Sequence, residues 1–401
     1  MRFFGAYKYF RINAGLGEGV LPVSLASGLA KGLVLSLVLA LGLGLAGCGT
    51  SVEAPKPADL GPNIPLLSVR TAWTAQIGAV QFPLALRPVG NTVFVAASDG
   101  TVAALDARTG QDLWRMSVKS PVSSGVGSDG RYVAVVTQGN ELVMIDGGRE
   151  AWRQSMSALS FTAPLVAGAR VFVLSADRSV TAFDAATGRK LWSQTRPGEP
   201  LVLRQAGILQ SFEDTLLVGL SGRLVGMNPA NGSSRWEAPI AVPRGTNDVE
   251  RLVDLVAQTS RQGSMVCVRA YQAAVGCVNA VTGAVAWTKP SQGSVGLHAD
   301  EQNVYTTQSD GKIFALRPAD GEKVWESERL KHRHLSAPLA IGRVLAIGDN
   351  SGVVHLVSTQ DGAPQNRLNT DGSAIISSPV MVAGTLIVAT QNGGLFGFRP
   401  E

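Results

Sequence analysis

Charge is scarce in this chain. Charged residues fill 16% of its 401 positions, histidine occurs 4 times, cysteine 3 times, and aromatic residues make up 6%. No uninterrupted apolar run reaches the about 20 residues of a membrane-spanning helix. Each shortage excludes something. Three cysteines cannot build a disulfide scaffold. The few cationic residues are scattered singly rather than gathered in a stripe with aromatics, so a nucleic-acid surface is excluded. The formal net charge of +5 does not alter this, because Arg2, Lys8, Arg11 and Lys31 against Glu18 concentrate most of it in residues 1–47. What is abundant is glycine, 46 residues of it, with Val, Leu, Ala and Thr between the glycines. That composition describes many short strands joined by tight turns.

The N-terminus reads as an export signal. A basic start leads into the apolar residues 32–47, of the length of a signal-peptide core, and these end Leu45-Ala46-Gly47-Cys48. The ending resembles the bacterial lipobox, which implies cleavage before Cys48 and acylation of its thiol. Two or three acyl chains suffice for stable anchoring. Gly49 follows where an inner-membrane retention signal would carry Asp, so the resemblance implies the outer membrane, on its periplasmic side. Residues 48–66, with Pro55, Pro57, Pro62 and Pro65, read as a lipidated start and a proline-stiffened tether that does not pack.

Beyond the tether the chain repeats. Residues 104–114 (ALDARTGQDLW), 182–192 (AFDAATGRKLW) and 315–325 (ALRPADGEKVW) share one frame, which residues 226–236 and 277–287 keep and residues 144–152 shorten. Trp114, Trp152, Trp192, Trp236, Trp287 and Trp325 each close a copy, and Trp73 stands one period earlier. A further copy at residues 356–366 has Asn366 where the indole belongs, and the last copy stops at Glu401. Upstream of each frame an apolar run is followed by a turn such as Asp99-Gly100, Gly139-Asn140, Asp310-Gly311 or Asn392-Gly393, residues that tolerate positive φ in hairpins. Four strands in about 40 residues make a propeller blade. Residues 67–401 accommodate eight. The expected fold is therefore all-β: an eight-bladed β-propeller of four-stranded antiparallel blades, the strand around Trp73 completing the C-terminal blade and closing the ring. Residues 1–47 are the expected signal peptide, 48–66 the tether and 67–401 the propeller.

Other signals are weak. Residues 125–130 fit G-x-G-x-x-G, but a strand rather than a helix pattern follows, so they read as a loop. His332 and His334 have no partner at metal-binding spacing and read as part of a solvated basic loop. Cys267 and Cys277 flank a hairpin. A three-residue turn centred on Gln272 would make them face each other and permit a disulfide, whereas a two-residue turn would point them to opposite faces.

The frame Ala-x-Asp-x-x-Thr-Gly-x-x-x-Trp resembles the docking motif of quinoprotein propellers, in which the Trp ring packs between blades and the glycine permits the turn. Quinoprotein dehydrogenases further hold Ca²⁺ through Glu, Asn and Asp beside the quinone and often carry a disulfide between neighbouring cysteines. Here the cysteines are ten residues apart and the chain is short of such additions. A periplasmic quinoprotein oxidoreductase dependent on pyrroloquinoline quinone is the alternative reading. The expectation is a non-enzyme with no cofactor.

Departures from the repeat are more specific. About ten residues are inserted at 239–254, ending RGTNDVERLVD, and residues 199–207 read EPLVLRQAG. With the lipobox, length and blade count, these resemble the BamB family, lipoproteins of the outer-membrane β-barrel assembly (BAM) machinery, over essentially the whole chain. The resemblance implies binding to the barrel subunit BamA, through it to the rest of the complex, and assistance to unfolded outer-membrane protein clients. The family's Leu-x-Leu-Arg loop is matched by Leu201, Leu203 and Arg204, and its Arg-Leu-x-Asp-x-Asp loop by Arg251, Leu252 and Asp254, with Val256 in place of the second Asp. Exposed leucines beside an arginine and a carboxylate suit an interface anchor. Alternatively, Arg204 and Asp254 pair with each other and tie the two loops together.

Overall fold

The structure, a computed structural model, describes residues 55–196 and 201–401; the signal peptide and Cys48 lie outside the described residues. Contacts divide the chain into two units, Met1–Pro55 and Lys56–Glu401, and the fold below is that of the second. Its strands form eight four-stranded antiparallel sheets. Seven are consecutive meanders. Blade 1 spans residues 87–117, blade 2 122–155, blade 3 165–195, blade 4 209–239, blade 5 255–290, blade 6 297–327 and blade 7 339–369. Blade 8 takes three strands from residues 380–400 and its outermost from Val69–Gln76, which pairs with Gly394–Pro400. The ring closes as its repeat pattern requires, by joining the two ends of the propeller.

The inner strands are buried on both faces because each blade is packed between two others. Along Thr92–Ala96, Val93 and Val95 pack with Ile387 and Ala389 of blade 8, while Phe94 and Ala96 pack with Val133 and Val135 of blade 2. A strand with no solvent face has no use for polar alternation, so these runs are continuously apolar and β-branched. The outermost strands, such as Asp112–Ser117, alternate exposed with half-buried positions instead.

The repeated tryptophan joins each blade to the next. Trp152 of blade 2 lies on the Thr187-Gly188 turn of blade 3 and donates its Nε1–H to the Ala185 carbonyl at 2.8 Å. Gly188 has φ +72°, and a Cβ there would stand 2.7 Å from the indole, so both the turn and the ring demand glycine. Asp184 secures the turn by accepting from the Thr187 amide at 2.9 Å and hydroxyl at 2.8 Å. Trp73, Trp192, Trp287 and Trp325 donate in the same way to Ala107, Pro229, Pro318 and Thr359. The missing tryptophan has a structural reason. Asn366 sits opposite Leu356, the register position that Trp114 holds opposite Ala104. The next blade is the composite one, whose last two strands come from opposite ends of the chain and so have no connecting turn for an indole to cover. The Asn366 amide donates instead to the Leu67 carbonyl at 2.7 Å and accepts from Asn63 at 3.0 Å.

Two expectations change here. Residues 56–66 are not an unpacked tether. The Ala58 amide donates to the Lys331 carbonyl at 2.9 Å, Leu60 packs against the cluster of Leu330, Leu335 and Leu345, and Leu66 donates to the Gln365 carbonyl at 2.7 Å. The basic loop around His332 is not merely solvated either. Arg333 donates to the Ala58 carbonyl and to the carboxylate of Asp349 at 3.0 Å, and Asp349 is fully buried. Burial works against the Asp349 charge, but hydrogen bonds from His355 at 2.9 Å, the Val353 amide and the Ser351 hydroxyl outweigh it and hold its carboxyl well below the ordinary carboxylate range.

The hairpin of Cys267 and Cys277 has the three-residue turn. Ala270 pairs with Ala274, Gln272 takes φ +47°, the cysteines face each other across strands and their sulfurs are bonded. Both sulfurs are buried between blades 5 and 6, so the bond acts as a staple.

Trp152→Ala is expected to cost about 3 kcal/mol, read as a lower denaturation midpoint at unchanged m-value. The depressed Asp349 pKa contributes stability that is complete at neutral pH and is lost as pH falls below the ordinary aspartate value of about 3.9. Asp349→Asn should therefore lower stability at pH 7 and flatten its loss in acid, measured by urea unfolding between pH 7 and 3.

Candidate functional site

In a meander of four strands, the turn between the second and third strands lies on the same face of the ring as the connection to the next blade. The loop after blade 3, carrying Leu201, Leu203 and Arg204, and the loop after blade 4, carrying Arg251, Leu252 and Asp254, therefore share one face with the hairpin turns of blades 3 and 4. The structure brings both sequence-matched loops together, and the residue that joins them is Arg178.

Arg178 occupies the hairpin turn of blade 3 with φ +62°, at the position where sibling turns carry Gly100, Asn140, Gly311 and Gly393. Left-handed backbone costs a long side chain about 1 kcal/mol, so an arginine here departs from the repeat. That departure was the one sequence signal that pointed to it. Its side chain is 7% exposed. It donates to the Leu201 carbonyl at 2.8 Å, to Asp254 Oδ1 at 3.2 Å and to the hydroxyl of Ser221 in the hairpin turn of blade 4. The other Asp254 oxygen accepts from the Leu203 amide at 3.0 Å. Asp254 thus pairs with Arg178 and not with Arg204, which overturns the tie suggested by the sequence. Arg204 is exposed, its guanidinium 5.9 Å from the centroid of the Phe161 ring, in cation–π range.

The sequence-matched residues separate by exposure. Leu201 is 41% exposed and Arg251 is exposed, whereas Leu203 and Leu252 are half-buried. Leu203 helps line a shallow, solvent-open cleft of about 50 Å³ with Phe161, Leu174, Leu220 and Val256. Val256, standing where the family pattern has its second Asp, is a buried wall of that cleft and offers no acidic contact.

The inserted loop is locally built. Asn247 Oδ1 caps a single turn by accepting from the Val249 and Glu250 amides at 3.1 and 2.9 Å. The Glu250 carboxylate accepts from the Thr246 amide at 2.8 Å, a bond that lowers its pKa. Within this inserted loop Val249 is 71% exposed and Val242 62% exposed. A small cleft lined by Leu201, Pro243, Arg251 and Leu252 joins the two loops.

Elsewhere the chemistry is structural. Residues 125–128 lie in the first strand of blade 2, Val122–Ser128, rather than in a loop, and a Cβ on Gly127 would meet the Pro164 carbonyl at 1.8 Å, so that glycine serves blade packing. Among the described residues no group of three or more His, Cys, Asp or Glu side chains is placed to hold a metal ion.

These features define the class: a closed eight-bladed β-propeller with two inter-blade loops joined through a buried ion pair. Comparison with known proteins refines the class. The family model described as outer membrane protein assembly factor BamB matches residues 98–327. Outer membrane protein assembly factor BamB of Burkholderia pseudomallei is 35% identical over 89% of this chain and 95% of its own length. The crystal structure of BamB from Moraxella catarrhalis superposes with a TM-score of 0.76 at 21% identity, covering 82% of this chain and 99% of that one. Quinohemoprotein alcohol dehydrogenase from Comamonas testosteroni, at 15% identity and TM-score 0.64 over 84% of this chain and 78% of its own, shares the fold alone. The chain belongs to the BamB family of outer membrane protein assembly factors.

Removing Asp254 leaves the buried Arg178 without its carboxylate. Asp254→Ala should therefore cost about 3 kcal/mol, while Arg204→Ala, at an exposed side chain, should stay within about 0.5 kcal/mol of the parent. Urea unfolding of the two variants side by side distinguishes these outcomes.

Proposed function

We propose that this protein is a non-enzymatic scaffold of the outer-membrane β-barrel assembly complex. Acyl chains on Cys48 hold it to the periplasmic side of the outer membrane. It binds BamA through the loops after blades 3 and 4, and through BamA it helps assemble and insert barrel proteins. The observation that carries this reading is the convergence of the two family-matched loops on one face, in a chain 35% identical to a named assembly factor. The surface suits the task, with an exposed leucine, exposed arginines on the same two loops and a buried polar joint that ties the loops together. Steady anchoring by lipid and a rigid ring would present this face to a membrane-embedded partner at high effective concentration.

Pull-down of the tagged protein from detergent-solubilised outer membranes should recover BamA, and Arg204→Ala should abolish that recovery without changing the unfolding midpoint. Cys48→Ser should move the protein from the membrane to the soluble periplasmic fraction. Absence of BamA from the wild-type eluate defeats the reading.

A further inference from the structure

The strap of residues 56–68 is held along its length before it becomes the closing strand. At its start the Ala58 amide donates to the Lys331 carbonyl at 2.9 Å, and Arg333, bonded to the buried Asp349, donates to the Ala58 carbonyl at 2.8 Å. Leu60 then packs against Leu330, Leu335 and Leu345. Further on, the Arg367 guanidinium donates to the Gly61 carbonyl at 2.8 Å, Asn63 donates to Asn366 at 3.0 Å, and the Leu66 amide donates to the Gln365 carbonyl. Lys331 and Arg333 lie just past the outermost strand of blade 6, Lys323–Ser327, and Gln365, Asn366 and Arg367 lie in the outermost strand of blade 7, Pro364–Asn369. The chain therefore reaches the propeller at the rim between blades 6 and 7. Fixing it at Ala58 shortens its free length: the roughly ten residues from Cys48 to Ala58 reach at most about 35 Å, whereas the roughly 20 from Cys48 to the closing strand at Val69 would reach about 70 Å. Along this rim the strap leaves Ile64 71% and Leu66 66% exposed. Charges of both signs stand nearby, Lys56 and Asp59 on the strap, Arg329 beside Asp361, and Lys331 with Glu328 at 2.6 Å, so no patch of one sign selects an ionic partner.

We propose that the strap turns the rim of blades 6 and 7 toward the periplasmic leaflet of the outer membrane, with Ile64 and Leu66 as its contact with the headgroup boundary. This rests on the proposed acylation of Cys48 and adds which edge of the ring the lipid holds. The occupant is a lipid surface because the chain that leaves Ala58 ends, after those few residues, in the acylated cysteine. Two exposed aliphatic side chains two positions apart then add apolar burial to the acyl anchor. In a ring of eight blades, blade 3 lies opposite blade 7, so blades 2 and 3 stand farthest from the leaflet. The loops after blades 3 and 4 fall on that far half of the ring, clear of the headgroups and open to a periplasmic domain.

The test uses the full-length lipoprotein in vesicles of phosphatidylethanolamine and phosphatidylglycerol that contain a lipid with a nitroxide on its headgroup. With Cys267 bonded to Cys277 and Cys48 acylated, one new thiol carries a fluorophore, either at exposed Arg329 beside the strap (Arg329→Cys) or at exposed Arg189 of blade 3 (Arg189→Cys). Quenching at Arg329→Cys should exceed that at Arg189→Cys several-fold. A Gly/Ser spacer of about 20 residues inserted between Cys48 and the strap restores a long tether and should erase the difference while the protein still floats with the vesicles. Ile64→Ser combined with Leu66→Ser should also reduce the difference, at an unchanged unfolding midpoint because both side chains are exposed. Equal quenching at the two positions of the parent protein overturns the inference. Survival of the full difference in the spacer variant removes tether length as its cause, and survival in the serine variant removes the apolar contact; either result also overturns it. A protein that does not float with the vesicles defeats the acylation of Cys48 itself, an outcome that flotation reads separately from quenching.

Discussion

Everything in this molecule depends on one contact repeated around the ring: an indole from the last strand of one blade lying on the glycine turn of the next. At Trp73, Trp152, Trp192, Trp287 and Trp325 the contact joins burial of a large ring to a hydrogen bond from Nε1–H to a turn carbonyl, whereas at Trp236 the buried Nε1–H has no partner and packing alone makes the joint. It needs a turn with positive φ and no Cβ, which is why Gly188 and its counterparts stand where they do. Because each blade is held by its neighbours, no sheet has a face of its own to solvate, and the inner strands become uniformly apolar.

Closure is where the repeat has to break, and the break is informative. At the composite blade the turn that an indole would cover does not exist, because its strands Val69–Gln76 and Gly394–Pro400 come from opposite ends of the chain. Asn366 replaces the ring with an amide that reaches the Leu67 carbonyl, and residues 56–66 run along blade 7 to enter that seam. The buried Asp349 anchors the start of this run through Arg333, so a charge placed deep in blade 7 secures the chain before it joins blade 8. A proline-rich segment whose composition suggests only a spacer is thereby part of the folded unit.

The binding face follows the same logic of departure from the repeat. Blades 3 and 4 are ordinary in their strands and unusual in their connections: an arginine in a hairpin position that favours glycine, an inserted turn, and two loops that meet across a blade boundary. A rigid ring tolerates such loops because its stability resides in the strands and indoles, which leaves the connections to be shaped for a partner. The ion pair of Arg178 with Asp254 is costly to bury alone and is compensated by hydrogen bonds to the Ser221 hydroxyl, the Leu201 carbonyl and the Leu203 amide, a use of buried charge that gives shape more than stability.

The spacing of Trp73 through Trp325, the turn dipeptides and the truncated final copy were enough to specify eight four-stranded blades and a ring closed by its N-terminal strand, because strand pairing and inter-blade packing are local and periodic. The two loops around Leu201 and Asp254 were legible for a similar reason, as interruptions of that period. What the sequence left open depended on atoms distant in the chain. Whether Cys267 faces Cys277 turned on one residue of hairpin register. That Asp254 pairs with Arg178, 76 positions away, rather than with Arg204 was decided by which guanidinium the propeller brings to the joint between blades 3, 4 and 5. Periodic contacts repeat in sequence and can be read there; a contact made once, between loops of different blades, exists only after the ring has closed.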